Sequence, residues 1–162
     1  MDLQVVTGDL LDAPEKFICH QCNCLTDHAA GIAQAIFSRF PYADIYKLRS
    51  KNHTPTLEEQ LGNIIIKGNG TGQRFIINMM AQVYPGAPKY PDSRKDGTLV
   101  RQAAFQECLH KITQLPELQS VAFPWQIGCN LGGGDWQVYR HMIREFAEQV
   151  GIPVRVYKLP GM

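Results

Sequence analysis

Four glycines carry the clearest chemical signal in this chain: Gly128 and the triplet Gly132, Gly133 and Gly134, within Phe123-Pro-Trp-Gln-Ile-Gly-Cys-Asn-Leu-Gly-Gly-Gly-Asp-Trp136. The residues leading in, Ser120-Val-Ala-Phe-Pro124, read as a short buried strand, and those from Trp136 to Val150 read as an amphipathic helix. Without Cβ atoms a loop can take left-handed conformations and lie close to a ligand, while the helix start beyond it presents N–H groups that have no intrahelical partner. Such a loop suits an anion, most commonly a phosphate or diphosphate. The plainer alternative is a flexible connection whose helix is capped by Asp135.

Cysteine is the other reactive residue type in view. Of five, Cys19, Cys22 and Cys24 crowd His20, while Cys108 falls in an expected helix and Cys129 in the glycine loop, so no four ligands share metal-site spacing. Buried, reduced thiols are the expectation, with no metal and no cofactor. Cys129 does not open a thiolate phosphatase loop either, because Asp135 stands where that chemistry needs an arginine.

The elements that must position these groups form one domain spanning 1–162. A chain of 162 residues, 44% hydrophobic and 19% charged, supports a single packed core. Its net charge of +1, with no block of like charge, gives no electrostatic footprint for duplex nucleic acid or an anionic membrane. No apolar run reaches the length of a membrane span, and Met1-Asp-Leu-Gln lacks the layout of a signal peptide. A soluble intracellular protein, cytoplasmic or nuclear, is expected.

Leu3-Gln-Val-Val-Thr7 and Phe17-Ile-Cys-His-Gln-Cys-Asn23 read as strands, and Gly31 to Phe40 as a helix with apolar Ile32, Ala35, Ile36 and Phe40, stopped by Pro41. Asp44 to Arg49 is expected to add a turn or two of helix. Leu61 to Lys67 and Arg74 to Ala81 read as paired strands across the turn Gly68-Asn-Gly-Thr-Gly72. A proline-stiffened loop runs from Tyr84 to Gly97. Thr98 is expected to cap a helix reaching Leu115, with Leu99, Ala103, Phe105, Cys108, Leu109 and Ile112 on its apolar face. Pro153 to Leu159 closes the chain as a strand. Alternation of strands and helices, with nearly continuous apolar internal strands, argues for a sheet buried between helical layers. Ligands in such sheets sit beyond the carboxyl ends of parallel strands, so the loops 23–31 and 125–135 should face one crevice.

Taken together these residues resemble a macrodomain, the ADP-ribose-binding module. The similarity is carried by Gly8-Asp9-Leu-Leu; Cys22-Asn23-Cys24 followed by Gly31-Ile-Ala; Ile76-Ile-Asn78-Met-Met-Ala-Gln82; and Phe123-Pro with Ile127-Gly-Cys-Asn-Leu-Gly-Gly-Gly-Asp-Trp136. It runs from Leu3 to Leu159 and is greatest to the compact branch holding ADP-ribose 1''-phosphate phosphatases and hydrolases of ADP-ribosylated carboxylates. The resemblance implies a three-layer α/β/α sandwich around a mixed, roughly six-stranded sheet. It also implies that Asp9 accepts a hydrogen bond from the adenine amino group, with Leu10 giving backbone contact and Tyr157 or Leu159 covering the adenine face. Gly31 and Ile32 would donate N–H groups to the diphosphate and distal ribose, and Gly128, Cys129, Asn130 and Leu131 would wrap the diphosphate from the other side. Asn23 would sit beside the distal ribose.

Two family features are missing. Met79 and Met80 stand where some members carry a lysine that attacks the distal sugar, and Gly132 occupies the place of their loop aspartate. Water chemistry remains, with His28 as general acid or base and Asn23, Asp27 or Asp135 positioning the attack. The leading expectation is release of phosphate from ADP-ribose 1''-phosphate. The alternatives are removal of ADP-ribose from modified protein carboxylates, or ADP-ribose binding without chemistry. The partner is accordingly ADP-ribose or a derivative, with an ADP-ribosylated protein as a further candidate.

Overall fold

A computed structural model describes residues 3–70 and 74–162 of the chain. In chain order the elements are β1 (Leu3–Thr7), β2 (Phe17–Asn23), α1 (Gly31–Arg39), β3 (Ile64–Lys67), β4 (Phe75–Gln82), α2 (Thr98–Thr113), β5 (Val121–Pro124), α3 (Trp136–Val150) and β6 (Val154–Lys158), with 3-10 turns at Leu10–Asp12 and Pro41–Ala43. The strands form one sheet in the order β1-β6-β5-β2-β4-β3. β3 runs antiparallel to β4, with Ile64 opposite Met79 and Lys67 opposite Ile76, and the other pairs are parallel. The turn expected to join β3 and β4 includes 71–73, which lie outside the described residues.

The sheet is covered on both faces. α2 and α3 pack Phe105, Leu109, Ile112, Tyr139, Ile143 and Phe146 against Ile77, Met79, Val121, Phe123 and Val156. On the opposite face α1 sets Ala33, Ile36 and Phe37 beside Ile18, Cys22, Ile76, Met80 and Tyr157. This is a three-layer α/β/α sandwich with a mixed six-stranded sheet, and burial of the central strands from both sides explains their mostly apolar character. Met79 and Met80 are fully buried, one in each layer, and neither opens onto the surface. Among the described residues no helix is long and apolar enough to cross a membrane.

One buried polar group crosses the α1-side layer. His20 Nε2 lies 2.6 Å from Asn78 Oδ1, and Asn78 Nδ2 donates to the carbonyls of Ala43 (3.3 Å) and Ile65 (3.1 Å). Because the amide nitrogen is committed to two carbonyls, Oδ1 must accept, and the neutral ring carries its proton on Nε2. Burial drives the ring's pKa down to about 4 against the opposing pull of the Asn78 bond. The cysteines are free, and burial pushes the thiols up, to about 11 at Cys24 and about 12 at Cys129, which makes them poor nucleophiles.

Three local expectations give way. Residues 44–49 form turns rather than helix, because Asp44 Oδ1 accepts from the amides of Tyr46 and Lys47 while Tyr46 is buried against Phe37. α2 has Gly97 at its N-cap position, with Thr98 as its first helical residue, and it ends at Thr113. Its buried face is turned in part: Phe105, Cys108, Leu109 and Ile112 face inward as expected, but Leu99 is 76% exposed and Ala103 is exposed, while Arg101 and Ala104 are buried. α1 is turned likewise, burying Ala33, Ile36 and Phe37 and leaving Ile32 exposed.

Candidate functional site

A crevice of about 350 Å³ opens beyond the carboxyl ends of β2, β5 and β6, within the size range of small-molecule sites. The loop after β2 and the glycine loop after β5 both line it, and they touch: a Cβ added to Gly31 would lie 2.8 Å from Leu131 Cδ1. Of the residues singled out in the sequence, Asp9, Leu10, Asn23, His28, Gly31, Ile32, Gly128, Asn130, Leu131, Gly132, Tyr157 and Leu159 line this space. Cys129 and Asp135 do not.

The first wall is the start of α1. Gly31 takes φ +57°, Ala30 precedes it in extended conformation, and no side chain caps the helix. None of the hydrogen bonds among the described residues uses the amides of Gly31, Ile32 or Ala33. These donors, at the positive end of the helix dipole, border the crevice.

The second wall is the glycine loop. It coils on itself: Cys129 N–H donates to Gln126 O, Gly133 N–H to Asn130 O and Gly134 N–H to Gly128 O. The amides of Gly128, Asn130, Leu131 and Gly132 make no such bond among the described residues. Gly128 has φ +75°, and a Cβ there would meet Gln21 Oε1 at 2.8 Å and Tyr139 Cε2 at 2.9 Å, so any side chain at this position is strained. Cys129 has therefore no free amide for a diphosphate, and its thiol donates to Ile127 O. Asp135 is the N-cap of α3, its Oδ1 accepting from Gln137 N–H at 3.0 Å.

The loop that leaves β2 is held from behind. Asn23 Oδ1 accepts from the amides of Leu25 (3.0 Å) and Thr26 (2.9 Å), and its Nδ2 donates to Thr26 Oγ1 (3.0 Å). That side chain shapes its own loop rather than extending toward a substrate. Tyr46 OH accepts from Asn23 N–H, and Arg49 Nη1 donates to the carbonyls of Asn23 and Thr26, both at 3.1 Å. Arg49 is paired with Glu59 (Nη2 to Oε2, 2.5 Å), which also meets His53 Nε2 (2.7 Å) and accepts from Thr56 N–H (2.9 Å). Burial pushes the Glu59 carboxyl up, but the Thr56, His53 and Arg49 donors outweigh it and hold the group at about 2.

His28 stands at the rim with its side chain 80% exposed and Nδ1 2.9 Å from Asp27 Oδ1. The bond from His28, ahead of the other causes, holds the Asp27 carboxyl below its ordinary value. With Nδ1–H directed at the carboxylate, Nε2 is left to give or take a proton. At the other end of the crevice Asp9 caps the 3-10 turn, Oδ1 accepting from Leu11 N–H at 2.9 Å. The ring of Tyr157 is fixed by its hydroxyl, which lies 2.8 Å from both Glu15 carboxylate oxygens. Trp125 joins this end, its main-chain N–H donating to Tyr157 O, with Lys158 Nζ 4.5 Å from its ring centroid.

Several contributors were missed in the sequence: the Arg49–Glu59–His53 group, Arg101 with Asp96, and Gln21, which meets Gln82 (2.7 Å) beneath the glycine loop. Their signal was faint. The first lies in polar loop, the last joins two strands 61 residues apart, and Arg101 is a charged residue in a helix, so apolar periodicity points to none of them. Among the described residues no three His, Cys, Asp or Glu side chains are grouped so as to hold a metal ion.

No protein-family model and no curated protein matches the chain. Solved structures do. A protein of unknown function from Bacteroides thetaiotaomicron superposes with a TM-score of 0.71 at 25% identity, over 97% of this chain and 98% of its own. The macrodomain of Thermus aquaticus DarG gives 0.67 at 23% identity, over 96% and 97% of the two chains. Thermosipho africanus DarTG in complex with ADP-ribose gives 0.67 at 18% identity, over 99% of this chain and 42% of that one.

Proposed function

This chain has the macrodomain fold, and we propose that its crevice binds ADP-ribose and hydrolyses ADP-ribose 1''-phosphate to ADP-ribose and phosphate. The observation that carries the binding is the convergence of two sets of unused main-chain donors, from the start of α1 and from the glycine loop, on one small crevice. Donors from both sides suit a group with two adjacent phosphates. Asp9, Leu10, Tyr157 and Leu159 at one end take the adenine, and the distal ribose lies toward Asn23 and His28. The Thermosipho africanus protein of this fold was solved with ADP-ribose.

For the chemistry, water attacks the phosphorus of the 1''-phosphate and the bond from phosphorus to the 1'' oxygen breaks. That oxygen leaves with a proton from Nε2 of the doubly protonated His28 ring, which Asp27 orients from Nδ1, and the proton released by the attacking water returns to Nε2, leaving hydrogen phosphate. Main-chain N–H groups of the two loops that the diphosphate leaves unused carry the growing charge on the 1''-phosphate. Asn23 serves by shaping the loop and Asp135 by capping α3, so the catalytic burden falls on His28.

The test is incubation of the purified protein with ADP-ribose 1''-phosphate, alongside calorimetric titration with ADP-ribose, for wild type and His28→Ala. Turnover should fall by about a hundredfold or more in the variant, while affinity changes less than threefold. Equal losses in both, or none in turnover, remove His28 from the mechanism. A second reading, a module that binds ADP-ribose or an ADP-ribosylated protein without chemistry, is favoured by the local engagement of Asn23 and Asp135; it predicts heat on titration and no phosphate release. Removal of ADP-ribose from modified carboxylates would appear as release from an ADP-ribosylated protein instead.

A further inference from the structure

Arg101 is 2% exposed in the first turn of α2, where a cation opposes the helix dipole, and nothing in the crevice proposal uses it. Its guanidinium is saturated. Nε and Nη2 donate to Asp96 Oδ1 (3.1 Å) and Oδ2 (2.6 Å), Nη1 to Gly86 O (2.7 Å) and Gly132 O (3.1 Å), and Nη2 also to Tyr84 O (3.2 Å). Asp96 in turn accepts from the amides of Val83 (2.7 Å) and Tyr84 (3.2 Å). Gly86 and Gly132 both line the crevice, and Gly132 carries one of its unused amides.

We propose that Arg101 is the positioning residue that sets the separation between the proline-rich loop and the glycine loop, and so holds the cradle in its anion-binding shape. The proposal rests on the reading that this crevice binds ADP-ribose. A buried ion pair contributes little net stability compared with an apolar pair of the same shape, so stability alone does not explain a charge at this place on α2. What the planar fork does is reach carbonyls on two loops while anchored to a carboxylate, and it holds the peptide that ends the glycine loop. Beside it a Cβ on Gly133 would lie 2.7 Å from Ala87 Cβ, so the two loops are already in contact and a small change in their spacing alters the cradle. A lysine at 101 keeps the charge for Asp96, yet its point-like ammonium cannot reach both loops at once.

The experiment compares wild type, Arg101→Lys, Asp96→Asn and Leu109→Ala by ADP-ribose titration, dissociation rate, thermal denaturation and amide hydrogen exchange. Leu109 is buried in the middle of α2 and does not line the crevice, so it controls for loss of stability alone. R101K should lose about tenfold in affinity, chiefly through faster dissociation, with faster exchange at 86–87 and 132–134. L109A should lower the melting temperature by at least as much and leave affinity within twofold. If R101K does not fold, D96N should show the same losses in smaller degree. Wild-type affinity in R101K, or the same affinity loss in L109A, overturns the role of Arg101. Absence of binding by wild type would instead remove the ADP-ribose reading, and the exchange rates would still decide the brace: unchanged exchange at both loops in R101K overturns it.

Discussion

Replacing Glu59 with glutamine tests how the crevice loop is held. Glu59 sits 6% exposed between Arg49, His53 and the Thr56 amide, and its carboxyl falls from 4.5 to about 2 on folding. A depressed carboxyl contributes stability that is complete above the unfolded value and is lost as pH drops through 4.5 toward 2. The fall is worth about 3 kcal/mol at full weight, and about 2 kcal/mol once solvent screening is allowed for. The substitution also leaves the Arg49 guanidinium buried without its counter-charge, a change that costs about 3–5 kcal/mol in buried pairs. A loss of about 3 kcal/mol at pH 7 is therefore expected, or a fall of about 6–12 °C in Tm for a chain of this length. Urea denaturation of both proteins at pH 7, 5, 4 and 3 should show the gap at its widest at pH 7 and narrowing below pH 4.5. A gap that is unchanged at pH 3, or smaller than about 0.5 kcal/mol at pH 7, would contradict this assignment of the Arg49–Glu59 pair.

Gly31→Ala forces a side chain onto φ +57°, a strain of about 1–2 kcal/mol. Its Cβ contact is with the flexible, exposed end of Leu131, which can swing away. Relief of the strain turns the α1 amides, so ADP-ribose affinity should fall about tenfold by calorimetry; unchanged affinity would argue that these amides do not bind the diphosphate. His20 is neutral in the folded protein down to about pH 4, whereas the unfolded chain takes up a proton below about 6.5. Its contribution is complete above that value and fades as pH falls from 6.5 to 4, and a ring NMR titration midpoint above pH 6 would show the site to be wrongly understood.

Much of the architecture could be read from pattern. α3 starts at Trp136 and ends at Val150 as expected, because Asp135 and Gly151 mark its two ends: one caps the start through its side chain and the other ends it at φ +64°. The strands and their two-sided burial were legible in the mostly apolar runs of β2 and β4, interrupted by His20 and Gln21 in one and Asn78 in the other. The facing of short helices was less so: nine residues of α1 constrain its rotation weakly, and contact with the sheet sets Ala33 inward and Ile32 outward. Arg101 was invisible because composition places arginine outside, and it is the Asp96 carboxylate together with the carbonyls of two loops that gives it reason to be buried. For Asn23 and Asp135 the residue type was chemically apt, but short side chains beside free amides bond their own backbone first.

The most direct measurement is a crystal structure of the protein with ADP-ribose. Diphosphate oxygens are expected at about 2.7–3.2 Å from the amides of Ile32 or Ala33 on one side and of Asn130 or Leu131 on the other. A diphosphate bound away from α1, or those amides bonded to protein atoms with the nucleotide in place, would contradict a cradle built from both loops.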